Sequence, residues 1–186
     1  MRRAGAGQDA DGRLVWWSVA EGQRGRRWRE AIVGGGGLVH SLLLETGPDR
    51  RFTHLELATP AGLLTLHPEP DGTLHGNAVT DRGMRHVAGL AWDPDGLVIL
   101  AGSTIAAAAA GHLLATLLPP GATPAGMSTS QLVLRIAADL SVATAFADVE
   151  LGTDGRYVVA DSGVVATDGD GLPLLDEARS WPLEAA

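Results

Sequence analysis

Two amino acids are missing from this chain of 186 residues, which contains neither cysteine nor lysine. The absence of cysteine excludes disulfides, thiol nucleophiles and thiolate metal sites. The absence of lysine excludes the phosphate-binding loop that nucleotide-binding proteins build around a lysine. All 14 basic residues are therefore arginine, against 22 acidic residues, and the formal net charge is −8. Because an acidic surface repels a phosphate backbone, we expect no nucleic-acid partner.

Long apolar runs are absent as well. No run approaches the roughly 18 residues that a membrane-spanning helix needs, and no apolar segment of a secretory signal follows the arginines near the start. We therefore expect no membrane span and a cytoplasmic location. Residues 1–12 are predicted to form a flexible tail, and residues 13–182 a single domain with a hydrophobic core. The abundance of alanine, glycine and arginine indicates a GC-rich bacterial genome.

Short segments rich in Val, Leu and Ile fill most of the chain, and turns that pair Asp with Gly or Pro separate many of them. Such turns supply the backbone angles and side-chain hydrogen bonds that reverse a chain. Examples are "EPDG" at 69–72 and "DPDG" at 93–96. Many short strands joined by tight turns are typical of antiparallel β proteins. The sequence predicts a mainly β fold, whether a sandwich, a barrel or a half-barrel.

Residues 103–118 break the strand pattern and predict one helix. Ser103 or Thr104 can cap its start, the five alanines Ala106–Ala110 have the highest helix propensity, and the prolines at 119–120 would end it. An alanine surface packed on a sheet leaves space that larger side chains would fill, so we expect an apolar-ligand pocket under this helix. The alternative is close helix–sheet packing with no hollow.

Three residues are candidates for acid–base chemistry. Alternation puts Phe52, His54 and Glu56 on one face of a strand, and if that face lines a cavity, the His–Glu pair could transfer a proton. The favoured alternative is a polar strand surface that faces solvent. His112, on the helix beside the alanines, is the third candidate, although a hydrogen-bonded packing histidine is more common. The six histidines show no metal-binding spacing, so we expect no metal site and no cofactor.

Tryptophan outnumbers the other aromatic residues, with five Trp against two Phe and one Tyr. An indole combines apolar area with an N–H donor, which suits the wall of a pocket for an amphipathic ligand. The adjacent Trp16 and Trp17 must face opposite sides of their strand, one toward the core and the other toward a cavity or partner. Alternation also puts Trp28 and Glu30 on one strand face, where they could orient a ligand by stacking and a hydrogen bond. The favoured alternative is a strand end where the indole covers the core and Glu30 reaches water. The candidate ligand-binding residues are Trp17, Trp28, Glu30, Phe52, Trp92, Ile105, Ala109 and Tyr157.

The order of segments resembles a bacterial family of glycolipid-binding proteins. The resemblance lies in "RLVWW" at 13–17, the Arg pair and alternating segment at 49–76, "GLAWDPDGLVIL" at 89–100, and the segments 132–151 and 155–175. Five residues that look like a family pattern are Arg135, Asp139, Leu140, Arg156 and Tyr157.

The resemblance implies a bent antiparallel β half-barrel, a lipocalin-like open barrel closed by the helix, and a lipid-like ligand. The chain departs from the family in segment 103–114, where alanines replace polar residues and prolines. For this reason no sugar-contacting role is carried over to that segment.

Three functions remain open from the sequence. The first is a protein that binds a hydrophobic or amphipathic small molecule, lipid-, polyketide- or terpenoid-like, between a curved sheet and the helix. The second is a small cofactor-independent biosynthetic enzyme, a cyclase or isomerase of a natural product, that uses the shape of the same cavity and one acid–base group. The third is a structural module with exposed strand edges that could form a homodimer.

Overall fold

The computed structural model describes residues 1–9, 11–117, 127–151, 157–159, 163–165 and 172. Its largest element is an eight-stranded antiparallel sheet in which every strand pairs with its sequence neighbours. The strands are β1 (Arg2–Gln8), β2 (Leu14–Gly22), β3 (Gly25–Gly34), β4 (Gly37–Thr46), β5 (Phe52–Thr59), β6 (Gly62–Pro68), β7 (Thr73–Thr80) and β8 (Gly83–Ala91). Since β1 and β8 do not pair with each other, the sheet is open and forms no closed barrel.

A second sheet and one helix complete the described part of the chain. The sheet contains β9 (Leu97–Leu100), β10 (Met127–Ile136), β11 (Val142–Leu151), β12 (Tyr157–Val159) and β13 (Gly163–Val165), in the order β13-β12-β11-β10-β9. The helix α1 (Thr104–Leu117) connects β9 to β10, which pair in parallel. Parallel neighbours need such a crossover connection. The predicted mainly β fold with one helix is therefore confirmed, and the second sheet adds one parallel pair to the expected antiparallel pattern.

The segment predicted as a tail is a strand for most of its length. Arg2–Gln8 pairs along its whole length with β2, as the edge strand β1. Its sequence, "RRAGAGQ", has few residues that favour strands. Gly5 fits this position because a Cβ there would lie 2.9 Å from the indole ring of Trp17. Close approach to a core tryptophan thus explains the glycine at position 5.

The helix lies between the two sheets. Ile105, Ala106, Ala108 and Ala109 pack into the main core with side chains of the large sheet, while the next turn packs on the second sheet. The residues of this second cluster are Leu97, Ile99, Ala110, Leu113, Leu114, Val133 and Val149. A helix buried on two sides is apolar around most of its surface, as this one is. No helix in the described part of the chain has both the length and the apolar character to cross a bilayer.

Candidate functional site

The space under the helix is very small. Where α1 meets β4, β5 and β9, the cavity has a volume of about 10 Å³, roughly what a single water molecule requires. Ile105 and Ala109, two candidate ligand-binding residues, are buried in the core at this interface. The alanines here mark close packing between helix and sheets, which was the alternative to a ligand pocket.

Glu30, another candidate for ligand binding, holds the start of the helix. Its Oε2 atom accepts hydrogen bonds from the backbone amides of Thr104 and Ile105, at 3.0 and 3.2 Å. Its Oε1 atom lies 2.8 Å from Nε2 of His40, and both side chains are buried. Amides in the first turn of a helix have no partner within the helix, and a carboxylate there also interacts favourably with the helix dipole. Both carboxylate oxygens of Glu30 thus make contacts that stabilise the fold.

Trp28 and His112 form a second buried contact between β3 and α1. Their rings meet edge to face, with centroids 5.7 Å apart, and the indole Nε1 donates a hydrogen bond to Oγ1 of Thr46 at 3.2 Å. Burial, together with the guanidinium groups of Arg26 and Arg50, lowers the pKa of His112 from 6.5 to about 4. His112 is therefore a neutral packing histidine near neutral pH, and its ring packs against Trp28 of β3.

The other aromatic candidates are also core residues. Phe52 and Trp92 pack edge to face with ring centroids 5.5 Å apart, and both are buried. Trp17 is 3% exposed and belongs to the same core, whereas its neighbour Trp16 is 45% exposed on the opposite face of the sheet. The expectation that the two indoles face opposite sides is confirmed, with Trp16 as the outward one. The side chain of Tyr157 lies outside the described residues.

His54 and Glu56 lie on the outer face of the large sheet, away from the helix. A register shift between Glu45 and Thr46 turns Phe52 into the core and leaves His54 outside, so the three residues do not share a face. Nε2 of His54 lies 3.1 Å from Oε1 of Glu56, and both side chains are substantially exposed. The pair therefore lies on an exposed strand surface, and Glu56 also lines an open hollow on this face.

A broad open hollow of about 790 Å³ lies on this outer face, across β1 to β6. The strand registers place most of its lining residues in two parallel rows, and the others include Trp17 and Glu30, two candidate ligand-binding residues that are buried. The apolar row runs across the sheet through Ala6, Trp16, Ala31, Ser41, Ala58 and Leu63, each the cross-strand partner of the next. The polar row runs beside it through Ala4, Ser18, Arg29, Leu43 and Glu56, paired in the same way.

The shape of the hollow follows from the order of side chains in the apolar row. Small residues, Ala31, Ser41 and Ala58, form a floor in its middle, and the larger Trp16 and Leu63 stand at the two ends of this floor. These ends lie four strands apart, which corresponds to about 19 Å at the usual strand spacing. Trp16 and Leu63 are 45% and 44% exposed, so these two side chains offer apolar surface to a ligand.

A second group on the outer face consists of His67, Glu69 and His75, around the β6–β7 hairpin. Their ligand atoms all lie within 4.8 Å of one another. The sequence did contain a signal for this group, because a histidine flanks the turn "EPDG" on each side. Spacing rules miss it, since the two histidines meet only when the hairpin pairs them.

Comparisons with known proteins give a fold and no activity. No protein-family profile matches the chain, and a search of curated proteins finds no match. The fold is similar to the crystal structure of a DUF1089 family protein from Pseudomonas aeruginosa, with a TM-score of 0.51 and 14% sequence identity over 86% of each chain. This similarity supports the β-rich fold. It does not show membership of the glycolipid-binding family.

Proposed function

We propose that this protein binds a hydrophobic or amphipathic small molecule, lipid-, polyketide- or terpenoid-like, in the outer-face hollow of the large sheet. The observation that supports this most directly is the apolar row with its floor of small residues between Trp16 and Leu63. The volume of about 790 Å³ falls in the range of about 300–1,000 Å³ that is usual for small-molecule sites.

The two rows favour an elongated amphipathic ligand. Its apolar part would lie along the floor of the apolar row, where Trp16 and Leu63 would lose exposed area. Its polar part would turn toward Arg29 and Glu56 in the polar row, where a guanidinium and a carboxylate can each form charge-assisted hydrogen bonds. Apolar contact would supply most of the affinity, and the charged pair would set the orientation.

The enzyme alternative now depends on one pair of residues. Glu56 lines the hollow and lies 3.1 Å from the imidazole of His54, which is a distance suited to proton transfer. His112 does not contribute, because it is buried against Trp28 on the other side of the sheet. If the protein is a cyclase or isomerase, replacing both His54 and Glu56 by Gln should abolish turnover of a bound molecule while leaving its binding largely intact.

A change that fills the floor of the hollow tests the binding proposal. Ser41 is exposed at the centre of the apolar row, so Ser41→Phe should occupy the ligand space without disturbing the core. Organic extraction followed by mass spectrometry should detect a retained hydrophobic molecule in the wild type and little in Ser41→Phe. Titration with palmitate and farnesol should show affinity for at least one probe, weakened by about tenfold in the variant, or about 1.4 kcal/mol.

The matched control is Ser130→Phe, which adds the same side chain at an exposed serine of β10 in the second sheet. Ser130→Phe should bind as the wild type does. The proposal would be wrong if wild-type extracts contain no hydrophobic molecule and neither probe binds. Equal binding by the wild type and both variants would show that the ligand lies elsewhere.

A further inference from the structure

We propose that His67, Glu69 and His75 form a binding site for a divalent transition-metal ion, with Zn²⁺ as the representative ion. The site lies on the β6–β7 hairpin, on the same outer face as the hollow. It shares no residue with the hollow. The metal-site proposal and the ligand-binding proposal can therefore be tested independently.

The hairpin brings the three side chains together. His67 and His75 are direct cross-strand partners, and their rings lie 5.8 Å apart at an angle of 80°. Oε1 of Glu69 lies 3.0 Å from Nε2 of His67 and 3.8 Å from Nδ1 of His75. Both imidazoles thus approach the same carboxylate oxygen, and each offers one ring nitrogen on the same side of the hairpin.

These separations suit a small ion with nitrogen and oxygen ligands. Zinc binds imidazole nitrogen and carboxylate oxygen at about 2.0–2.2 Å, so two of its tetrahedral ligand atoms lie about 3.4 Å apart. The observed separations of 3.0 and 3.8 Å bracket this value. Three protein ligands would leave one of four positions for water, which can reach the site because all three side chains are partly exposed. Imidazole ligands select Zn²⁺, Co²⁺, Ni²⁺ or Cu²⁺ over Mg²⁺ and Ca²⁺.

The backbone around Glu69 is held by local hydrogen bonds. The amide of Glu69 donates to the carbonyl of Thr73 at 2.8 Å, and the amide of Gly72 donates to the carbonyl of Glu69 at 3.2 Å. Pro68 and Pro70 flank Glu69 and restrict its backbone further. Because the carboxylate of Glu69 lies within 3.8 Å of a nitrogen of both imidazoles, little chain ordering would be needed for binding.

The test is metal titration of the full chain without an affinity tag, since a histidine tag would bind the same ions. Calorimetry with Zn²⁺ and visible absorption with Co²⁺ should both show one saturable site, and millimolar Mg²⁺ should not compete. Loss of groups that only orient a metal ligand costs about 10–100-fold in affinity, so His75→Ala and Glu69→Gln should each weaken binding at least tenfold. Both changes are at the surface, and thermal unfolding of the metal-free variants should match the wild type.

The matched control is His86→Ala, which removes an exposed histidine of the neighbouring strand β8 that is not part of the cluster. This variant should bind Zn²⁺ and Co²⁺ as the wild type does. The proposal is overturned if the wild type shows no saturable binding of either ion. It is also overturned if His75→Ala and Glu69→Gln bind as tightly as the wild type, or if His86→Ala alone loses the site.

Discussion

At the scale of single residues, His112 links stability to pH. Its folded pKa of about 4 lies below the ordinary value of 6.5 because of burial and the nearby Arg26 and Arg50. Between these two values the unfolded chain binds a proton that the folded chain does not, so stability falls as the pH drops toward about 4. At 1.36 kcal/mol per pKa unit, the shift from 6.5 to about 4 limits the loss to about 3.4 kcal/mol.

The variant His112→Gln keeps a polar side chain but cannot titrate, so its free energy of unfolding should fall less between neutral pH and about pH 4. Urea unfolding at a series of pH values measures this difference. The control His86→Gln, at an exposed histidine of β8, should keep the wild-type pH dependence. Identical pH dependence in His112→Gln and the wild type would show that His112 does not carry this effect.

Predictions of the sheet face on which a side chain lies were correct where side chains alternate regularly along a strand. They were wrong where a register shift interrupts that alternation. The opposite orientations of Trp16 and Trp17 follow from strand alternation alone. The shared face predicted for Phe52 and His54 is wrong, because the register shifts beside Thr46. The residue pattern of this segment does not predict such a shift. The role of Glu30 was also hidden, because its partners Thr104 and Ile105 are more than 70 positions away in the chain.

At the scale of elements, the alanines of α1 are expected to be intolerant of larger side chains. Ala109 is 5% exposed beside a cavity of about 10 Å³, so Ala109→Leu has no space to occupy. Overpacking of this kind costs about 1–3 kcal/mol. Urea unfolding should therefore show a less stable Ala109→Leu variant.

The matched control on the same helix is Ala115→Leu, because Ala115 is exposed. A surface change of this kind should alter the free energy of unfolding by no more than about 0.5 kcal/mol. If Ala109→Leu were as stable as the wild type, or more stable, the interface would contain a hollow and the close-packing interpretation would be wrong.

Most elements could be predicted from sequence, and the exceptions have physical reasons. Tight turns mark some hairpins of the large sheet, such as the turn at 69–72 between β6 and β7, and the capping residues and prolines mark the helix within about one residue of Thr104–Leu117. Strand β1 was missed because its glycines and alanines favour no strand. Gly5 fits this strand because Trp17 packs across it, a contact that becomes visible only once β1 and β2 are paired.

At the scale of the whole molecule, the outer-face hollow is formed by the pairing of strands, which aligns residues that are distant in the sequence. Its apolar row takes one residue from each of six successive strands, from Ala6 in β1 to Leu63 in β6. No single strand contains more than one of these residues, so the row cannot be recognised in the sequence. The sequence predicted an apolar-ligand site under the helix instead. Around the small cavity beside Ala109 the described residues of the helix interface are closely packed, and the open hollow lies on the other side of the sheet.

The indole N–H signals of the tryptophans test most directly whether a ligand binds on the outer face. In a ¹⁵N–¹H spectrum recorded during titration with palmitate or farnesol, the Trp16 signal, assigned with the variant Trp16→Phe, should shift and saturate. The signals of Trp28 and Trp92 should stay in place, because both side chains are buried in the core. A saturable shift of Trp28 with Trp16 unchanged would place the ligand under the helix and contradict the account. No shift of any indole with either probe would contradict binding in the hollow.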